Sequence, residues 1–116
     1  MSDTRVFKVL HHLQPHDSEP IRSVVLATSE ATLVAWTVKP GQRIGAHVHP
    51  AGQDTWTILE GEGEYQLDMA GHTTRIAAGD VVVAPKGAVH GVLNTGSIPL
   101  VFVSVVCPEL AGYEPV

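Results

Sequence analysis

The sequence predicts an all-β domain, and three observations carry that expectation. Val, Ile and Thr number 17, 5 and 9 among 116 residues, and β-branched side chains suit a pleated, half-buried surface. Gly (11) and Pro (8) together exceed the ~12% share of an average chain, as many sharp turns require. From Ser23 onward, strand-like runs alternate with turn signals at the ~8–12-residue spacing of a sandwich or barrel.

In chain order, the head 1–20 is the least committed segment. Val6, Val9, Leu10 and Leu13 suit either a short helix or an edge strand, and His11, His12 and His16 sit in polar company. The expected strands are then 24–28, 32–38, 44–49, 55–59, 64–68, 73–77, 81–84, 89–94 and 100–106. Thr55 to Ile58 alternates polar and apolar residues, the signature of a strand with one buried face. Between the runs lie Pro40-Gly41, Gly61-Glu62-Gly63, Ala70-Gly71, Gly79-Asp80, Pro85-Lys86-Gly87 and Thr95-Gly96. Each supplies a preset φ or a residue that tolerates positive φ. No long window carries a helical apolar stripe, and no repeat or linker interrupts the chain, so one domain over 1–116 is expected.

Composition removes several function classes. The formal charge is −5 at pH 7, which disfavours a nucleic-acid partner, because phosphate binding needs a basic patch. The longest apolar run, Ile98 to Cys107, is interrupted by Pro99 and Ser104 and falls short of the ~18–20 residues of a helical membrane span. Met1 to Arg5 lead into no long apolar stretch, so no secretory leader is expected. The single cysteine, Cys107, allows no internal disulfide and fits a reducing, cytoplasmic setting. No Ser-His-Asp spacing, phosphate loop or CxxC supports nucleophilic or nucleotide chemistry.

The histidines are more informative. His47 and His49 are separated by one residue within a turn-bounded, β-branched run. Strand side chains alternate faces, so both imidazoles project to one side, as two ligands for one metal would. A solvated strand face also carries such pairs, and the surroundings decide between the two. Gly41, His47, His49, Asp54 and Gly61 spell G-x5-H-x-H-x4-D-x6-G; Gly79, Pro85, Gly87, His90 and Asn94 spell G-x5-P-x-G-x2-H-x3-N. Gly-Pro-Gly at fixed spacing alone arises at roughly 2 in 10,000 start positions from average usage. Adding His90 and Asn94 removes accident as an explanation.

These two motifs resemble the signatures of the cupin superfamily. By motif the resemblance covers about 41–61 and 79–94, and by strand rhythm roughly 24–106. It implies an antiparallel double-stranded β-helix, or jelly-roll barrel, often dimeric, holding one divalent metal (Mn, Fe, Ni, Co or Zn) inside. His47, His49, His90 and the Asp54 position would be the ligands. The family usually has Glu where this chain has Asp54. One methylene shorter, Asp would fall ~1.5 Å short on the same backbone, against metal–oxygen bonds of ~2.0–2.2 Å. Strand parity and the count back from Gly61 select Asp54. Gln53 is the competitor, because some cupins with a similar His-x-His-Pro-x-Gly-Gln stretch ligate metal through that glutamine, although a bulge would be needed to aim it inward. A bare three-histidine site is the third alternative. Gly41, Gly61, Gly79 and Gly87 read as barrel corners, and Asn94 as a loop pin.

For substrate contacts, Arg43 shares strand parity with His47, and Trp56, Tyr65 and Phe102 are aromatic or apolar candidates for the pocket wall, with Ser104 beside Phe102 on the last strand. His72 sits at a hairpin tip and reads as a solvated turn residue. The resemblance implies a metal-dependent protein acting on a small molecule, of dioxygenase, isomerase, decarboxylase or lyase type. The alternatives are a non-catalytic module binding a small ligand or metal, and a structural barrel with a vestigial site. Unpaired edge strands, and a head free to pair with a second copy, predict a homodimer.

Overall fold

The computed structural model describes residues 4–116; Met1–Asp3, which open the head and the leader considered above, lie outside the described residues. Ten strands follow one another: β1 (Ser23–Ala27), β2 (Thr32–Val38), β3 (Arg43–Val48), β4 (Gln53–Glu60), β5 (Glu62–Gln66), β6 (Thr73–Ala77), β7 (Val81–Ala84), β8 (His90–Leu93), β9 (Leu100–Cys107) and β10 (Glu114–Pro115). They form two five-stranded sheets, ordered β1-β2-β9-β4-β7 and β10-β3-β8-β5-β6, and every pairing is antiparallel. From β2 onward the chain changes sheet at each connection except the β5–β6 hairpin. This alternation is the double-stranded β-helix, and it makes residues close in sequence face each other across the interior. Among the described residues, no helix is long and apolar enough to cross a membrane.

The head forms neither an α-helix nor a strand among the described residues, only a 3-10 turn at Val9–His11. Its apolar positions are too few and too broken by His11, His12 and Pro15 to cover a sheet edge. Two strand starts also differ from expectation by two residues. β5 begins at Glu62, inside the expected turn, because Gly63 lets the backbone approach β8: a Cβ there would lie 2.8 Å from the Leu93 carbonyl oxygen. β4 begins at Gln53, and its register against β9 runs without a bulge through Gln53↔Cys107 and Asp54↔Val106.

The core is Val38, Trp56, Ile58, Tyr65, Ile76, Val92, Leu100 and Phe102. Trp56 stacks on Phe102 with centroids 4.3 Å apart and meets Tyr65 edge-on at 5.3 Å. Two motif residues act as scaffold. Gly61 has φ +82°, and a Cβ there would collide with the Pro99 carbonyl, so only glycine fits this corner. The buried Asn94 amide donates to Val38 O (2.8 Å) and Ile98 O (2.9 Å) while its oxygen accepts from Gly96 N (2.8 Å), locking the end of β2 to the β8–β9 loop.

Candidate metal centre

His47 on β3 lies directly opposite His90 on β8 in the strand register, which sets the two rings side by side with centroids 4.1 Å apart. His49, two residues further on, presents its ring to the same side, 5.2 Å from each of the other two. Asp54 reaches the same point from β4 in the opposing sheet. Its Oδ2 is 3.0 Å from His90 Nε2 and 3.3 Å from His49 Nε2. One ligand-type atom from each of the four residues falls within 4.8 Å of all the others. All four residues are buried or nearly so, the His49 side chain being 11% exposed and those of Asp54 and His90 4% and 1%.

The orientation of the rings is fixed from behind. His47 Nδ1 faces Gly45 O at 2.8 Å, His49 Nδ1 faces Gly112 O at 2.7 Å and His90 Nδ1 faces Ala88 O at 3.1 Å. A carbonyl only accepts, so each Nδ1 carries the hydrogen and each Nε2 is turned toward the centre of the cluster. There, two polar atoms remain without a hydrogen-bond partner: His49 Nε2, whose contact with Asp54 is off line, and Asp54 Oδ1. Buried polar atoms are rarely left so.

The electrostatics follow from this packing. Burial drives the His47 pKa down to about 4, against the pull of its Gly45 contact, with His90 and His49 adding repulsion. His49 moves the other way, because the Asp54 carboxylate beside it outweighs its burial. Burial works to raise Asp54, yet the imidazoles of His49 and His90 and the Trp56 indole hold it well below the usual carboxylate range. The centre therefore holds a carboxylate and a neutral His47 at neutral pH.

His47, His49 and Asp54 of the cluster line a cavity of about 650 Å³. Trp56 lines it, as does Ser104. Four other expected site residues lie elsewhere. Gln53 is exposed, with its amide toward Thr55 Oγ1 at 3.3 Å; the unbulged start of β4 turns it outward when Asp54 turns inward. Arg43 is exposed and borders a separate, shallower depression, because the irregularity between Ile44 and His47 shifts strand parity and gives the cavity wall to Ile44 instead. Phe102 is fully buried behind Trp56, and Tyr65 is buried between Trp56 and His90; neither borders the cavity. Burial also raises the Tyr65 phenol above its ordinary pKa. His72 is an exposed partner of Asp68 at a hairpin tip.

Sequence reasoning missed the far end of the chain. β10 pairs with β3 through Glu114↔Val48 and Pro115↔His47. This brings the Tyr113 ring to 5.0 Å from that of His47 and 6.1 Å from that of His49. A two-residue strand leaves no periodic signal. Arg22, from the segment before β1, also reaches the cavity rim.

Against known proteins, a family model for the cupin domain matches residues 34–106. A solved Klebsiella pneumoniae protein, described only by its double-stranded β-helix domain, superposes with a TM-score of 0.95 at 47% identity, over 98% of each chain. A Thermotoga maritima structure described as a predicted oxalate decarboxylase gives a TM-score of 0.71 at 28% identity, over 77% of this chain and 80% of that one. An oxalate-binding protein of Thermotoga maritima is 36% identical over 67 residues, which are 58% of this chain and 54% of that protein. Nectarin-1 of Nicotiana plumbaginifolia is 32% identical over 98 residues, 78% of this chain and 41% of that one. The chain thus spans about half the length of the curated relatives it matches.

Proposed function

The chain belongs to the cupin family, and from that premise we propose that it acts on a small molecule through a divalent metal held by His47, His49, His90 and Asp54. One observation carries the reading: three imidazoles, each anchored at Nδ1 by a backbone carbonyl, turn Nε2 toward a buried carboxylate. Metal-ligating histidines are oriented by such outer hydrogen bonds.

The residues fit the ion. With bonds of ~2.1 Å, neighbouring ligands at right angles stand ~3.0 Å apart. Asp54 Oδ2 lies 3.0 Å from His90 Nε2 and 3.3 Å from His49 Nε2. The shorter side chain of Asp54 reaches the cluster because it projects inward from the unbulged start of β4. Three imidazoles and one carboxylate suit Mn, Fe, Ni, Co or Zn. Such an ion, when bound, polarises substrate oxygens and stabilises developing negative charge.

The chain's own groups do the rest. Val34, Trp36 and Ile44 exclude water from one side of the cavity, and Ser104 offers a hydroxyl. Oxygenase, isomerase, decarboxylase and lyase chemistry are all open to such a site. A non-catalytic binding role is the second reading, favoured by the similarity to an oxalate-binding protein. A cytoplasmic homodimer acting as one domain over 1–116 completes the proposal. The exposed free thiol of Cys107 supports the reducing compartment.

The test is metal content by mass spectrometry on untagged protein. Near-stoichiometric metal in the wild type, lost in His47→Ala, supports the reading. A wild type that stays empty and cannot be loaded at neutral pH overturns it. Turnover by the loaded protein then separates enzyme from binding module.

A further inference from the structure

We propose that the cavity above the histidine cluster takes a monocarboxylate with an apolar body, its carboxylate held by Arg22. The proposal rests on the reading that this cavity is the working site.

Size and lining set the class of ligand. A cavity of about 650 Å³ falls in the range that encloses a drug-sized molecule, and a two-carbon diacid would fill little of it. Val34, Trp36, Ile44 and Leu110 supply apolar wall, which favours a hydrocarbon or aromatic body.

Charge sets the head group. Arg22 is the only Lys or Arg among the residues lining the cavity. The register Ser23↔Ala35, continued one step, sets it abreast of Trp36. The buried Ser23, whose hydroxyl donates to Ile21 O at 3.3 Å, fixes the backbone beside it. Among the described residues, no carboxylate lies within 4.0 Å of the Arg22 guanidinium, so its fork of donors is open to a ligand. Arg22 and His49 line the same cavity, so a ligand held by the guanidinium also reaches the cluster.

The same rim limits the end of the ligand that it holds to one negative charge. Glu19 and Glu109 line the cavity with Arg22. At this rim one cation compensates one carboxylate; a second one beside it would meet Glu19, Glu109 and an apolar wall, where an uncompensated charge is costly to bury. A neutral molecule of the same shape forgoes the charge-assisted hydrogen bonds.

The experiment is isothermal titration of the full chain, with metal content measured on the same preparation. The probes are 4-phenylbutanoate, its neutral amide 4-phenylbutanamide, and oxalate. The proteins are the wild type, Arg22→Gln and Arg22→Lys. The wild type is expected to bind 4-phenylbutanoate about tenfold or more tightly than either other probe, and Arg22→Gln to lose about that factor. Arg22→Lys, which keeps the charge and loses the fork, recovers part of it. Equal binding by Arg22→Gln, a preference for oxalate, or no carboxylate binding by metal-loaded protein overturns the proposal. Arg22-dependent binding to a wild type that holds no metal supports the proposal while removing the metal reading. Stoichiometric metal without Arg22 dependence does the reverse.

Discussion

His49 donates its Nδ1 hydrogen to the Gly112 carbonyl at 2.7 Å, across 63 residues of sequence. The chain's last segment is therefore part of the centre's outer shell. It is held there by Ala51 N to Ala111 O (2.8 Å), by Val116 N to Ala46 O (3.1 Å) and by the pairing of β10 with β3. Losing an outer-shell partner typically costs ~10–100-fold in metal affinity. Deleting 112–116 is expected to weaken the metal by that factor in chelator competition, with Ala111 still in place. Tyr113→Ala keeps the carbonyl and should retain near wild-type affinity. Undiminished affinity in the truncated chain would make the Gly112 contact incidental.

Asp54 and Gln53 are adjacent in sequence and opposite in space. Asp54 is 4% exposed and contacts two imidazoles, whereas Gln53 is exposed and contacts Thr55. Asp54→Ala removes the only carboxylate of the cluster and should weaken metal binding beyond the ~10–100-fold of an outer-shell loss. Gln53→Ala should leave it unchanged. Metal retained by Asp54→Ala at wild-type affinity would point to a site of three histidines.

Much of this was legible because it is local. His47 and His49 share a strand face by parity alone, and the spacing from Pro85 to His90 and Asn94 marks a turn feeding a strand. What escaped depends on contacts between distant segments or on one-residue register changes. Arg43 has the parity of His47 in the sequence, yet the irregularity after Ile44 turns it to the other face. Gly63 reads as a turn glycine, but it is there to let β5 pass close to Leu93. Tyr113 and Arg22 sit in segments without periodicity, and only tertiary packing brings them to the cavity. Tyr65 and Phe102 show the opposite error: an aromatic residue near a site is more often the wall behind it than the surface of it.

Phe102 makes that distinction measurable. It is fully buried, stacked on Trp56 at 4.3 Å and on Trp36 at 6.3 Å. Phe102→Ala leaves a cavity in the core and should cost about 3–5 kcal/mol, read as a lower urea midpoint. Loaded with metal below that midpoint, the variant should bind ligand as the wild type does. A large loss of ligand affinity with unchanged stability would return Phe102 to the pocket wall.

The pH dependence of the metal-free protein follows from His47. Its folded pKa is about 4, below the ordinary 6.5, so between those values the unfolded chain binds the proton that the folded one refuses. Stability from this group is present above pH 6.5 and is lost as pH falls toward 4. Asp54, also depressed when folded, keeps its contribution above its ordinary pKa and loses it at still lower pH. His49 is raised; its contribution is full below pH 6.5 and fades as pH rises through the folded value. Urea midpoints should therefore fall between pH 6.5 and 4.5 in the wild type, and fall less in His47→Gln. An equal fall in both would assign the acid sensitivity elsewhere.

The outer face of the β1-β2-β9-β4-β7 sheet bears on assembly. The register aligns Leu33, Val105, Thr55 and Val83 in one row and Ala35, Val103, Thr57 and Val81 in the next, with no charged residue in either. Val81 and Val83 are 63% and 49% exposed, on an edge strand, with Leu59 at 47% on the same face. An apolar sheet face ending in an unprotected edge needs a cover, and a second copy of the chain is the proposed one. Val81→Lys with Val83→Lys replaces only exposed side chains, so the fold should be retained. Light scattering at micromolar concentration is expected to give a dimer for the wild type and a monomer for the double variant. A monodisperse wild-type monomer would remove the dimer, and a double variant still dimeric would move the interface to another face.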